Sequence, residues 1–236
     1  MTPGARKTEP AQKWPVRPRV PGNLTTAEFP RDDLVDDAVL SELALVDVDL
    51  SGRSARLVDI DQCQLTGARL SGSRLERLIV TDSVLERCDL ATVELSHGAM
   101  TRVELSACRL TGFATPGAVW RHVLVKDCAA DLSSFSSASF THVKFVDCRL
   151  QGSDFAGADL KGTQFRRCEL TQVDLSDAKT AGAAFVDCTW DGVRGISSLA
   201  GAMIVNSSPI DGLAFTAAMA QALNITLADP DDFPDE

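Results

Sequence analysis

Three kinds of side chain in this 236-residue sequence have the chemistry for catalysis or metal binding. The cysteines come first: Cys63, Cys88, Cys108, Cys128, Cys148, Cys168 and Cys188. A thiolate ligates zinc or exchanges with a disulfide only when it is accessible, low in pKa and correctly spaced. From Cys88 to Cys188 the interval is 20 throughout, no C-x-x-C pair occurs, and no histidine shares their phase. That pattern predicts a ladder of buried thiols filling space where Ala or Val would also fit, holding neither metal nor cofactor.

His122 and His142 are also 20 apart, in the phase of Gln62 and Arg102. Two imidazoles stacked about 5 Å apart lack a third ligand there, so they read as a surface ladder. Asp154 and Asp174 repeat the interval as paired carboxylates. General acid-base work needs a concave site that separates two pKa values, and stacked surface acids on a regular rod do not provide one. The sequence holds no G-x-x-x-x-G-K-[ST], G-x-G-x-x-G, H-E-x-x-H or G-x-S-x-G. The expectation is a protein that is not an enzyme.

What positions these residues is a period of five. From Leu40 to Ile225, 35 of 38 fifth residues are apolar, against about 17 expected from the 44% hydrophobic content. Thr115, Thr180 and Gly195 are the exceptions. A second column two residues earlier is small: 31 of its 37 members, from Ala38 to Ala218, are Ala, Cys, Ser, Thr, Gly or Val. Neither the 3.6 period of a helix nor the period of 2 of a flat strand gives this spacing. A chain that turns a corner every five residues does. The 20-residue interval of the cysteines, shared by Gly52, Gly72, Gly112, Gly152, Gly192 and Gly212, makes four sides per coil. Residues 40–225 then form about nine coils stacked at strand spacing, a rod of about 40–45 Å.

Units such as Gly157-Ala158-Asp159-Leu160-Lys161, Gln172-Val173-Asp174-Leu175-Ser176, Arg87-Cys88-Asp89-Leu90-Ala91 and Thr92-Val93-Glu94-Leu95-Ser96 resemble the A(D/N)LXX unit of the pentapeptide-repeat family. The resemblance covers about four-fifths of the chain. It implies an all-β fold, the family's right-handed quadrilateral β-helix. It also implies a function to test, since the quinolone-resistance and gyrase-interacting members are acidic rods that mimic duplex DNA.

The ends divide the remainder. Residues 1–23, with five prolines, read as a disordered basic leader; 24–39 as an N-terminal cap with a short acidic helix; and 40–215 as the β-helix. Residues 216–227 read as a C-terminal cap helix or dimer element, with Phe215, Met219 and Leu223 at i, i+4, i+8, and 228–236 as an acidic tail. The formal charge of −10 falls as +4 on 1–23, −4 on 24–40, −5 on 41–227 and −5 on the tail. The rod itself is nearly balanced. No direct nucleic-acid binding by the rod is therefore expected, and DNA mimicry would be partial. Val146, Val186 and Ile204, with Val84, Leu124, Ile196 and Leu199, are candidate outward apolar residues for a protein partner, beside Asp154 and Asp174. The partner expected from the resemblance is DNA gyrase or another type II topoisomerase, the alternative an unidentified protein on a structural scaffold. A homodimer through the C-terminal end and a cytoplasmic location complete the expectations: cysteine usage indicates a reducing compartment, and the sequence has neither an apolar signal core nor a spanning run.

Overall fold

The computed structural model of the protein describes residues 15–206 and 209–222. Within it the five-residue period becomes a series of corners. Every fifth residue from Asp37 to Gly192 has a positive φ, and 22 of these corners are not glycine. Left-handed backbone turns the chain sharply, at a cost of about 1–2 kcal/mol where a Cβ is present. The corners persist because the packing on both sides of them over-determines the path. Four corners close a coil.

Between corners, short strands pair in parallel with the strand 20 residues on, as in Leu45↔Leu65, Leu105↔Val125 and Phe145↔Phe165. We number the sides by their inward columns: side 1 runs through Leu40, Trp120 and Phe140, side 2 through Leu45 and Phe145, side 3 through Leu50 and Trp190, and side 4 through Ala55 and Leu175. The longest stack, on side 2, climbs from Thr25–Thr26 to Met203–Val205. The result is a right-handed, four-sided β-helix of about nine turns.

The core is one continuous column of side chains inside the coils. Its lower half is leucine-rich and encloses an apolar void of about 20 Å³ bounded by Leu65, Leu85 and Met100 among others. Its upper half is aromatic. Phe145, Phe165 and Phe185 stack nearly parallel, with centroids 5.0 and 4.9 Å apart, the spacing of the coils themselves. Each exception to the five-residue rule has a local reason. At Thr115 the large and small positions are exchanged, because Phe113, in the small column, fills the interior and is fully buried. Thr180 turns its hydroxyl to the Ser198 carbonyl.

Gly195 is where the frame slips. A 3-10 turn, Ile196–Leu199, follows it, and the last strand, Met203–Val205, pairs with Ala184–Val186 at an offset of 19 instead of 20. The slip turns Ile204 inward and leaves Met203 and Val205 exposed, while Ile196 and Leu199 are buried. Ile196 and Leu199 are thus corrected from outward candidates to core, and Ile204 to a partly buried residue packed against it. The solenoid ends at Val205, and a helix, Pro209–Ala222, begins earlier than the expected 216 and includes Gly212.

The N-terminal cap also differs from expectation. Thr25–Thr26 is a strand that pairs with Leu43–Ala44, and residues 27–37 form turns rather than an acidic helix. The acidic residues bond to the coil above instead: Asp33 to Arg53 and Asp36 to Arg56. Nor does disorder extend through residue 23, because residues 15–23 lie along the rod. Residues 1–14 and the acidic tail lie outside the described residues.

Candidate interaction surface

The thiol column shows first what the sites are not. Each cysteine sits where buried serines also sit, and its Sγ–H donates to two carbonyls: Cys148 to Val125 and Val146, as Ser153 Oγ does to Ala130. All seven are free and buried. Burial pushes the Cys63 thiol up, and the hydrogen-bonded neighbour Cys168 together with burial does the same at Cys148. All seven are enclosed, and a thiol that a reagent cannot reach does not react whatever its ionisation. We expect none of the seven to react with a disulfide reagent at pH 8 within the time that denaturant exposes all seven. Fast native labelling of any of them would contradict the ladder.

The two imidazoles stack as expected, with centroids 4.7 Å apart and planes 18° from parallel. No group of three His, Cys, Asp or Glu side chains able to hold a metal occurs among the described residues. Asp154 and Asp174 pair across adjacent coils, and each carboxylate accepts the backbone N–H two residues on, from Ala156 and Ser176. Asp174 also meets Arg194 at 3.0 Å. The acidic residue of the repeat unit thus fastens its own turn, a structural duty. Val146 and Val186 are half-buried on side 2, and Arg166 stands between them in the pairing. Val84 and Leu124 are likewise half-buried and separated by Glu104. These three valines and Leu124 therefore form no continuous apolar stripe. Phe215 and Met219 pack against the core, with the Phe215 ring 5.1 Å from Trp190. Leu223 lies outside the described residues.

What the surface does present is alternating charge bonded from coil to coil. Arg69 meets Asp49, Arg109 meets Asp89, Arg167 meets Asp147 and Arg102 meets Asp82, each pair 20 residues apart. Exposed pairs of this kind contribute little to stability, but together they cancel the field that free carboxylates would project. They also give the protein an acid limit. Ser51 and Arg69 hold the Asp49 carboxyl at about 2, and Arg167 holds Asp147 below the usual range. A carboxyl depressed in the folded state stabilises above its unfolded value near 4 and loses that contribution as pH falls through its folded value. The melting temperature is expected to be flat from pH 7 to 5 and to fall steeply from about pH 4 to 2. Asp49→Asn would blunt that fall; an unchanged slope would remove Asp49 from the account.

Sequence reasoning missed two features of this surface. Asp82 is the one charged side chain among the buried residues described, gripped by both Nε and an Nη of Arg102 at 2.6 and 2.5 Å. The segment Pro15–Asn23 crosses the rod above it, with the Arg19 N–H donating to Asp82 at 3.1 Å and the Val16 N–H to His122 Nδ1 at 3.4 Å. Burial, then His142 and Arg102, lower the His122 pKa, which keeps Nδ1 an acceptor near neutral pH. The one signal available was a proline at every third position: Pro15, Pro18 and Pro21.

A pentapeptide repeat region is recognised over residues 99–175 and 126–194. Among solved structures, the chain is similar to HetL, a pentapeptide repeat protein involved in heterocyst differentiation regulation from the cyanobacterium Nostoc sp. strain PCC 7120. That match has 16% identity and a TM-score of 0.46, over 72% of this chain and 84% of that one. It is also similar to QnrB1, a plasmid-mediated fluoroquinolone resistance protein, with 18% identity and a TM-score of 0.37 over 83% and 98%. A third similar structure is Rfr23 from the cyanobacterium Cyanothece 51142, with 15% identity and a TM-score of 0.19 over 66% and 90%. No curated protein sequence matches this chain. No helix among the described residues is long and apolar enough to cross a membrane.

Proposed function

The chain belongs to the pentapeptide-repeat proteins, and from the surface its repeats build we propose that it works as a non-enzymatic protein-binding module. The observation that carries this reading is the arginine-carboxylate ladder described above. It gives the sides of the rod a patterned, nearly neutral surface of arginine–carboxylate pairs bonded from coil to coil. Rigid faces with in-register columns are what solenoids use to bind other proteins, because little conformational entropy is lost when a partner docks. Homodimerisation through the C-terminal helix belongs to the same proposal, and a concentration-independent monomer mass in solution would remove it.

The partner to test first is a type II topoisomerase. The sequence pI of 4.8 and the resemblance to quinolone-resistance members favour it. The ladder weighs against close mimicry of DNA. A duplex carries a charge every 1.7 Å, about 25 over a rod of this length, whereas residues 41–227 carry −5. A general scaffold for another protein is therefore the reading best supported by the geometry. The separating experiment is DNA supercoiling by gyrase with the protein titrated to micromolar concentration, with and without a quinolone. Inhibition of supercoiling, or relief of quinolone-stabilised cleavage, supports the topoisomerase partner. Neither effect would exclude it and leave the scaffold.

A further inference from the structure

The segment that crosses the rod has a register with it. Pro15, Pro18 and Pro21 are half-buried, with Val20 beside them, while Val16, Arg17, Arg19 and Gly22 face solvent. Neither helix nor strand is formed there. A three-residue repeat of exposure without internal hydrogen bonds is the signature of polyproline II, which rises about 3.1 Å per residue. Three such residues cover about 9.3 Å, and two coils of the rod rise about 9.6 Å. The contacts keep that step. Arg19 bonds to Asp82, and three residues away Val16 bonds to His122, two coils further on in the same corner column. Leu124 and Glu104 line the groove beside Pro15, Arg17 and Pro18.

We propose that the corner between sides 1 and 2 is a docking track for proline-rich polyproline II segments of partner proteins, occupied here by the chain's own segment as an intramolecular ligand. The occupant is chosen by what already sits there. The prolines face the rod, the backbone N–H groups between them meet an acceptor at every second coil, and Arg17 shares the groove with Glu104 and Lys144 while Asp82 is already paired by Arg102. Polyproline II ligands suit such a track because they are extended before they bind and lose little entropy on docking. The proposal rests on the protein-binding reading and supplies the partner's chemistry; the gyrase assays do not depend on the track, so either can fail without the other.

The test uses the full-length protein. Arg19→Pro removes the N–H that Asp82 accepts and keeps the extended backbone, so the segment is released without touching the rod. A second variant, Pro15→Gly with Pro18→Gly and Pro21→Gly, releases it by a different route. A fluorescein-labelled peptide with the sequence of residues 13–24 is titrated against native protein and both variants, with melting temperature as the check on folding. The native protein hides the track for most of the time, so released variants should bind at least about tenfold tighter. A peptide with glycine at the three proline positions should lose binding. Three results would overturn the proposal: no binding to either folded variant, equal binding to native and released proteins, or binding that survives loss of the prolines.

Discussion

Replacing Trp120 with alanine is expected to lower the unfolding free energy by about 3–5 kcal/mol, more than truncation at any leucine of the lower coils. Trp120 is completely buried on side 1, where the core changes from leucine to aromatic. Its indole meets Phe135 and Phe140 at 5.7 and 5.6 Å, and Phe113 and Phe145 at 6.5 and 6.4 Å. Truncation opens a cavity among rings that are held by backbone ladders 20 residues apart and cannot collapse into it. The indole Nε1–H has no hydrogen-bond partner and is buried. Trp120→Phe therefore loses volume but also removes a buried unpaired donor, and it should cost less than about 1.5 kcal/mol. Urea denaturation followed by circular dichroism measures both, compared at matched slopes because repeat proteins lose cooperativity easily. Equal costs for alanine and phenylalanine would show that the ring's packing is not what holds this coil.

The second large effect lies at the frame slip. Gly195 has φ +71°, and a Cβ placed there would stand 2.2 Å from the Ser176 nitrogen and 2.5 Å from the Leu175 carbonyl carbon. Both neighbours are backbone atoms of the preceding coil, so they cannot swing aside as a flexible side chain would. Gly195→Val adds the left-handed penalty to that clash, together about 3 kcal/mol or more. Its effect should be local. The 3-10 turn, the last strand and the terminal helix would leave the rod, uncovering Trp190, which the helix shields through Phe215. A red-shifted tryptophan emission and new protease cuts between residues 195 and 206 are the expected readouts. Gly117→Ala is the comparison: its φ is also positive, at +66°, but a Cβ there meets nothing within 4 Å. It should cost only the backbone term, about 1–2 kcal/mol. If both variants behave alike, the close approach at Gly195 is not what matters.

These two residues also mark how far the fold could be read in advance. The coils, their four sides and the thiol ladder were legible because each is written many times in the same phase, so one irregular residue could not hide the pattern. Thr115 looked like a defect only because the large residue had moved to Phe113. The slip after Gly195 was not legible, since a shift of one residue occurs once and leaves no period behind. It carried Ile196 and Leu199 from the expected surface into the core and turned Ile204 against it. The candidate surface was harder still. Polyproline II has no internal hydrogen bonds and no apolar alternation, so the composition of residues 15–23 argued for disorder while their three-residue spacing held the contrary signal. Asp82 gave no sign at all, because burial of one acid among many depends on what crosses over it.

The corner at every fifth residue has a consequence for how such a chain can change in length. Removing five residues from the middle of the rod would leave each large and small side chain in its proper column, so the core would close again with little loss. Everything beyond the deletion, however, would be turned by a quarter about the axis. A track assembled from Asp82 and His122 would then be split between two different edges. Removing twenty residues would shorten the rod by one storey and keep every face aligned. Melting curves could barely tell the two deletions apart, whereas a bound partner would. The molecule is thus tolerant of length in units of five for folding, and in units of twenty for recognition.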